Sequence, residues 1–218
     1  MEYFDISHSD SGFQIEGFPD AVKVLSVSTP MARRLADLAL HRQDLSFAKE
    51  CLEVINKTED DFIREVLWRS AIVHFFKCFG SSNARSSLPE RKIYASEEAF
   101  EVYSFFKNLR HRHYIHDENS YTQALPGAIL NKPNSQNKIA KIVCFYTTAE
   151  VLDQPNFSNL MLLITTALSW LELSFDTLCD KLTLELEQKP YEELVATEGL
   201  IWNKPRLEDI DKNRKANN

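Results

Sequence analysis

At 218 residues the chain is long enough to bury a substantial core and falls in the range where one large domain is expected. Its 44% hydrophobic and 26% charged composition excludes a fibrous or globally disordered chain, and five glycines are too few for a β architecture with many tight turns. A net charge of −7 repels polyanions over the surface as a whole, which excludes non-specific coating of DNA or RNA and confines phosphate binding to a local cluster.

Residues 1–28 mix Gly12, Gly17 and Pro19 with short apolar runs and read as an irregular lead-in. Met1 to Asp10 is acidic and polar where a secretory leader is basic and then apolar, so no leader is expected. Thr29 before Pro30 predicts a helix start, because the hydroxyl caps free N–H groups and proline wastes none at the first position. The helix is expected to run to about Asn56, with Leu35, Leu38, Leu45, Ala48, Leu52 and Ile55 at helical spacing.

Thr58 and Asp61 have capping-box spacing and predict a second helix over 59–79, ending at Gly80. Its apolar residues, from Phe62 and Val66 to Phe76 and Phe79, cover more than one stripe, which predicts central packing. A serine-rich loop follows over 81–89. Ser96 with Glu97 and Glu98 restarts a helix that carries Phe100, Tyr103, Phe106 and Leu109 into a charged cluster at 110–118.

Beyond the cluster, Pro126, Gly127, Pro133 and Asn134 bracket two short runs rich in β-formers, so a β-hairpin is expected over about 126–148. Asp153 or Asn156 is positioned to cap a last long helix from about Phe157 to Gln188. Its apolar stretch, Leu160 to Leu173, is interrupted by Thr165, Thr166, Ser169 and Glu172 and predicts a buried helix, with no membrane anchor. A shorter apolar segment spans Tyr191 to Trp202, and the polar end 203–218 is expected to be mobile. Cys51, Cys78, Cys144 and Cys179 form no CxxC pair, so reduced thiols in a cytoplasmic setting are expected.

The cluster Asn108, Leu109, Arg110, His111, Arg112, His113, Tyr114, Ile115, His116, Asp117, Glu118, Asn119 holds three of the six histidines. Histidine gives and takes protons near neutral pH, and arginine offers a planar fork of donors to phosphate oxygens. Together they supply what RNA cleavage needs: a base for the ribose 2′-hydroxyl, an acid for the leaving oxygen and a cation for the charge growing on phosphorus. On a continuous α-helix Arg110 and His116 sit about 120° apart, while Arg112 with His116 and Arg110 with His113 share faces. The plain alternative is a helix end where cations favour the carbonyl-rich terminus and Asp117 and Glu118 neutralise them. A metal site at His113, His116 and Asp117 is a third reading, opposed by the adjacent arginines. His74 reads as a core or interface histidine, and His8 and His41 as surface residues. No nucleophile elbow and no phosphate-binding glycine loop is present.

Arg110, polar His111, four further positions and His116 resemble the arginine-to-histidine signature of the HEPN superfamily. Leu109 before the arginine and Asp117, Glu118 and Asn119 after the histidine are similar to the flanks in bacterial members. The similar region spans 29–188, with the specific part confined to about a dozen residues. The resemblance implies a mainly α-helical, HEPN-like bundle of four to five helices within 29–202, here carrying the small hairpin insertion, that forms a homodimer and joins two motifs in one cleft. It implies a metal-independent endoribonuclease, needing no cofactor, that leaves a 2′,3′-cyclic phosphate and serves as a toxin or in phage defence. By position, Arg110 binds the phosphate and His116 is the acid or base, with His111, Arg112, His113 and Asn119 in support. RNA would be the substrate, with an antitoxin or other partner protein possible. The competing class is a non-catalytic interaction module that binds a protein, RNA or nucleotide through the same helix end.

Overall fold

The computed structural model describes residues 6–9, 12–15, 17–80, 84–201, 204 and 206–212, with side chains described from 17 onward. The protein is mainly helical, with six α-helices and two antiparallel strand pairs among these residues. The chain divides into two compact units, one of residues 1–43, 80–88 and 167–218 and one of 44–79 and 89–166.

In the first unit the expected irregular lead-in instead contains a strand pair, β1 (Ile6–Ser9) with β2 (Gly12–Ile15). Two four-residue strands are too short to show a period-2 pattern against the glycines around them. Leu25 bridges Gly199, and Ser26 N–H donates to Glu198 O at 2.9 Å, so residues 24–26 lie alongside 198–200. Helix α1 (Pro30–Ile55) begins where Thr29 and Pro30 indicate, with Thr29 Oγ1 accepting from Ala32 N–H at 3.1 Å. His41, expected at the surface, is fully buried, with Nε2 2.7 Å from Ser86 O. The same Ser86 donates through N–H and Oγ to Asp37 Oδ2 at 2.9 and 2.7 Å, which fixes residues 84–88 against α1. Helix α6 (Tyr191–Ala196) starts after Pro190, and a 3₁₀ turn (Leu207–Asp209) lies in the segment expected to be mobile. Ser81, Ser82, Trp202, Asn203, the side chain of His8 and residues 213–218 lie outside the described set.

The second unit holds α2 (Asp61–Lys77), α3 (Glu90–Ile93), α4 (Glu97–Asn108), β3 (Thr122–Leu130) and β4 (Ile139–Thr148). Asp60, not Thr58, caps α2, its carboxylate accepting from Ile63 N–H at 3.0 Å, while Thr58 Oγ1 accepts from Asp60 N–H. The first turns of α2 are not central, since Phe62 is 78% exposed and Val66 45%. Burial begins at Trp68 and continues through Ala71, Ile72, Phe75 and Phe76. Phe75, Phe76 and Phe79 meet Tyr94 and Tyr103, whose rings stack 5.2 Å apart, so the broad apolar surface read from sequence is an aromatic cluster at the C-terminal end of α2. Ser96 caps α4 as its spacing indicates, accepting from Ala99 N–H at 3.1 Å.

Helix α5 (Gln154–Glu187) starts with Asp153 accepting from Asn156 N–H at 2.7 Å. Among the described residues it is the one helix long and apolar enough to cross a membrane, and 22% of that apolar window is buried. The expectation of a buried helix is therefore corrected to one buried along a single face. Leu160, Leu163, Ile164, Ala167 and Leu171 turn inward, but Leu162, Leu173 and Leu184 repeat at eleven residues, about three turns, and form an exposed row.

Candidate active site

The arginine and histidine cluster does not continue α4 as an α-helix. Leu109–Ile115 is a π-helical turn, closed by His116 N–H donating to His111 O at 3.1 Å, an i to i+5 bond. Such turns are rare in helices and occur frequently where side chains carry function. Chain reversal follows at once. Asp117 takes a left-handed conformation at φ 53°, and Glu118 N–H donates to Arg112 O at 2.6 Å, which ties off the helix end six residues back.

This register changes which side chains meet. His111 and His116 lie with ring centroids 4.6 Å apart at 68°, both rings exposed. The pairing expected from α spacing, Arg112 over His116, is replaced by one five residues apart. No hydrogen bond, ion pair or ring contact joins Arg110, within the turn, to His116, its C-cap, among the described residues. Arg110 is half-buried, and its Nε is enclosed without a hydrogen-bond partner among the described residues. Arg112 is exposed.

The remaining supporting residues face elsewhere. His113 is buried, packed against the rings of Tyr114 and Tyr121 at 4.8 and 5.5 Å, and its Nδ1 has no partner among the described residues. It is part of the packing beneath the turn. Asn119 Oδ1 accepts from Tyr121 N–H at 3.1 Å, forming an Asx-type turn into β3.

Two residues of α2, Trp68 and Arg69, meet the turn at Tyr114. Trp68 on α2 is fully buried and donates Nε1–H to Tyr114 Oη at 2.9 Å. Arg69, paired with Glu65 at 2.6 Å, lies over the Tyr114 ring at 5.0 Å. Burial raises the Tyr114 phenol well above its ordinary value, so it stays neutral and free to bond as an alcohol. Trp68 and Tyr114 are 46 positions apart, and no local pattern signals that contact.

Burial lowers the pKa of both His41 and His113, with positive neighbours adding to the effect: Arg85 and Arg34 at the first, Arg69 at the second. The folded state therefore resists protons that the unfolded chain accepts below about 6.5. Their contribution to stability is fully present above that pH and is lost as pH falls toward each lowered value. Thermal unfolding is expected at a lower Tm at about pH 5 than at about pH 7.5, with the difference reduced in His113→Phe. A Tm that rises on acidification would contradict this.

A second polar cluster lies on α1 and α2, where buried Asp44 accepts from His74 Nδ1 at 3.0 Å and from Lys77 Nζ at 2.9 Å, with Phe47 against the His74 ring. His74 is thus a paired histidine at the edge of the core. Among the described residues no three His, Cys, Asp or Glu side chains gather as metal ligands. Comparison of the chain with protein-family models, with curated proteins and with solved structures finds no match.

Proposed function

We propose that the protein is a metal-independent endoribonuclease of the HEPN type, built on a HEPN-like helical bundle and working as a cytoplasmic homodimer in a toxin or phage-defence role. The observation that carries this reading is the exposed His111–His116 pair held ring to ring on the π-turn beside Arg110. Two imidazoles at one place supply the two proton transfers that cleavage requires. One takes the proton of a ribose 2′-hydroxyl as that oxygen bonds to phosphorus. The other protonates the departing 5′-oxygen, leaving a 2′,3′-cyclic phosphate and a free 5′-hydroxyl. The Arg110 guanidinium offers a planar fork of donors suited to the phosphate oxygens whose charge grows during attack.

Local charge supports selective RNA binding. Arg110 and Arg112 sit at a helix end in a chain of net charge −7, so RNA is attracted at the turn and repelled elsewhere. The test is cleavage of total cellular RNA by purified protein in excess EDTA, with product ends assayed for cyclic phosphate. Cleavage by the wild type and not by His116→Ala supports the enzyme, and no cleavage by intact wild type transfers the site to an interaction module.

A further inference from the structure

The π-turn is not the only exception to the acidic surface. Between Asn119 and Ala149 the chain carries Lys132, Lys138 and Lys141 and no carboxylate, within a protein of net charge −7. All three lysines are exposed, and none forms an ion pair among the described residues. The tip that joins the strands adds Asn134, Ser135 and Gln136, side chains that both donate and accept hydrogen bonds. This basic, amide-rich segment is the β3–β4 hairpin, and its base is tied to the turn. Tyr121 packs on the His113 ring, and Tyr121 O accepts from Ala149 N–H at 2.7 Å, which closes the hairpin at that point.

The two faces of the hairpin differ in kind. Cross-strand partners share a face, so Phe145 with Leu125, Val143 with Gly127 and Lys141 with Ile129 lie on one side. Tyr146, Cys144 and Ile142 lie on the other, whose paired residues include no charge. Only the first side sets an aromatic ring and a cation together. Phe145 is 64% exposed there, and Lys141 stands four residues away, about 13 Å along the strand. Between them Gly127 offers no side chain on β3, where a Cβ would sit 3.7 Å from Val143 Cγ2, so the floor between ring and lysine stays low.

An exposed ring beside cations and amides selects its ligand. The ring stacks on an unpaired base, the lysines take phosphates and the amides bond base edges, whereas a base inside a duplex has no free face to offer. An acidic protein segment would satisfy the lysines alone, while RNA satisfies all three groups at once. We propose that this face of the hairpin is a binding arm for single-stranded RNA, with a base on Phe145 and the backbone running along Lys141 and Lys138. The arm deepens the endoribonuclease reading and rests on it for the fate of the strand, while the binding stands by itself. Six positions separate His116 from Thr122, which keeps them within about 20 Å, and Phe145 lies about 10 Å up the hairpin from there. A few nucleotides cover that distance, within the ~4–16 that a single-strand groove holds. Cleavage is then confined to unpaired segments a short distance from the bound base.

The probe is a fluorescently labelled 2′-O-methyl oligouridine of about twelve nucleotides, long enough to fill such a groove and uncleavable because no 2′-hydroxyl is free. Phe145→Ala in the full chain is expected to raise its Kd roughly 5- to 150-fold, the worth of one stacked base, and Phe145→Trp to keep it near wild type. Tyr146→Ala, 69% exposed on the opposite face, should leave Kd unchanged. Lys138→Gln with Lys141→Gln should lower the slope of log Kd against log salt by about 1.4, two phosphates' worth on a single strand. With cleavable RNA, Phe145→Ala should raise KM and leave kcat near wild type, because the ring binds substrate and transition state alike. These binding losses without cleavage by any variant retain the arm and remove the enzyme. Cleavage whose KM ignores Phe145 and both lysines removes the arm and retains the enzyme. Equal losses in Phe145→Ala and Tyr146→Ala, an unchanged salt slope, or a duplex of the same length bound as tightly each overturn the proposal. So does a wild type that ignores the probe but binds a polyglutamate peptide through Lys138 and Lys141, which assigns the hairpin to an acidic protein segment.

Discussion

His116→Ala is expected to lower the rate of RNA cleavage in EDTA by about 10²–10⁴-fold, the usual worth of one positioned acid or base. The loss should appear in kcat with KM little changed, because an imidazole that moves a proton acts in the transition state and adds little to ground-state binding. Stability should hardly change. His116 is exposed, and its backbone N–H, which closes the π-turn on His111 O, survives the substitution. His111→Ala tests whether the ring pair is a working unit. If both imidazoles transfer protons, the two single variants lose similar amounts and the double variant loses far less than the product of the two. A His111→Ala enzyme with wild-type kcat would reduce His111 to a neighbour and leave the second proton transfer to another group. Arg110→Lys is the companion measurement. Lysine keeps the charge and loses the fork, so a rate close to that of Arg110→Ala would assign the planar donors, not the charge alone, to the phosphate.

Local signals were legible wherever the chemistry that makes them is local. Thr29, Ser96 and Asp153 each cap the helix their position indicates, because a cap is decided within four residues. The β3–β4 hairpin is likewise foreshadowed by Val143, Phe145 and Tyr146 after a proline-rich break, though it begins four residues earlier, at Thr122. What sequence periodicity could not show is the register of the helix end. Residues 109–115 read equally well as an α continuation of α4. The choice of a π-turn goes with contacts to Trp68 and Arg69, far away in the chain. For the same reason His113 and His111 read alike as supporting residues, yet His113 is packed inside and His111, at the polar position of the signature, is half of the exposed pair. His41 was misplaced similarly, because its burial depends on Ser86 arriving from a distant loop.

Trp68 is where stability and the candidate chemistry meet, and Trp68→Ala is expected to cost about 3–5 kcal/mol, as for other large aromatic truncations in a core. The indole is fully buried, meets Phe106 edge-on at 5.9 Å and bonds the Tyr114 hydroxyl. Tyr114→Phe separates packing from anchoring. It preserves the ring beneath Arg69 but leaves a buried indole N–H unpaired, for a loss of about 1–3 kcal/mol in chemical denaturation. The same substitution frees the π-turn from α2. A turn of this kind persists where surrounding contacts hold it, and once released it can relax toward an α register, in which rings five residues apart no longer meet edge to face. Tyr114→Phe should therefore lower kcat for RNA although residue 114 touches neither imidazole. Adding His116→Ala to it should cost much less than His116→Ala costs alone, since the pair is already disturbed. Full additivity of the two substitutions in kcat would show that the Trp68–Tyr114 bond stabilises the fold without positioning the histidines.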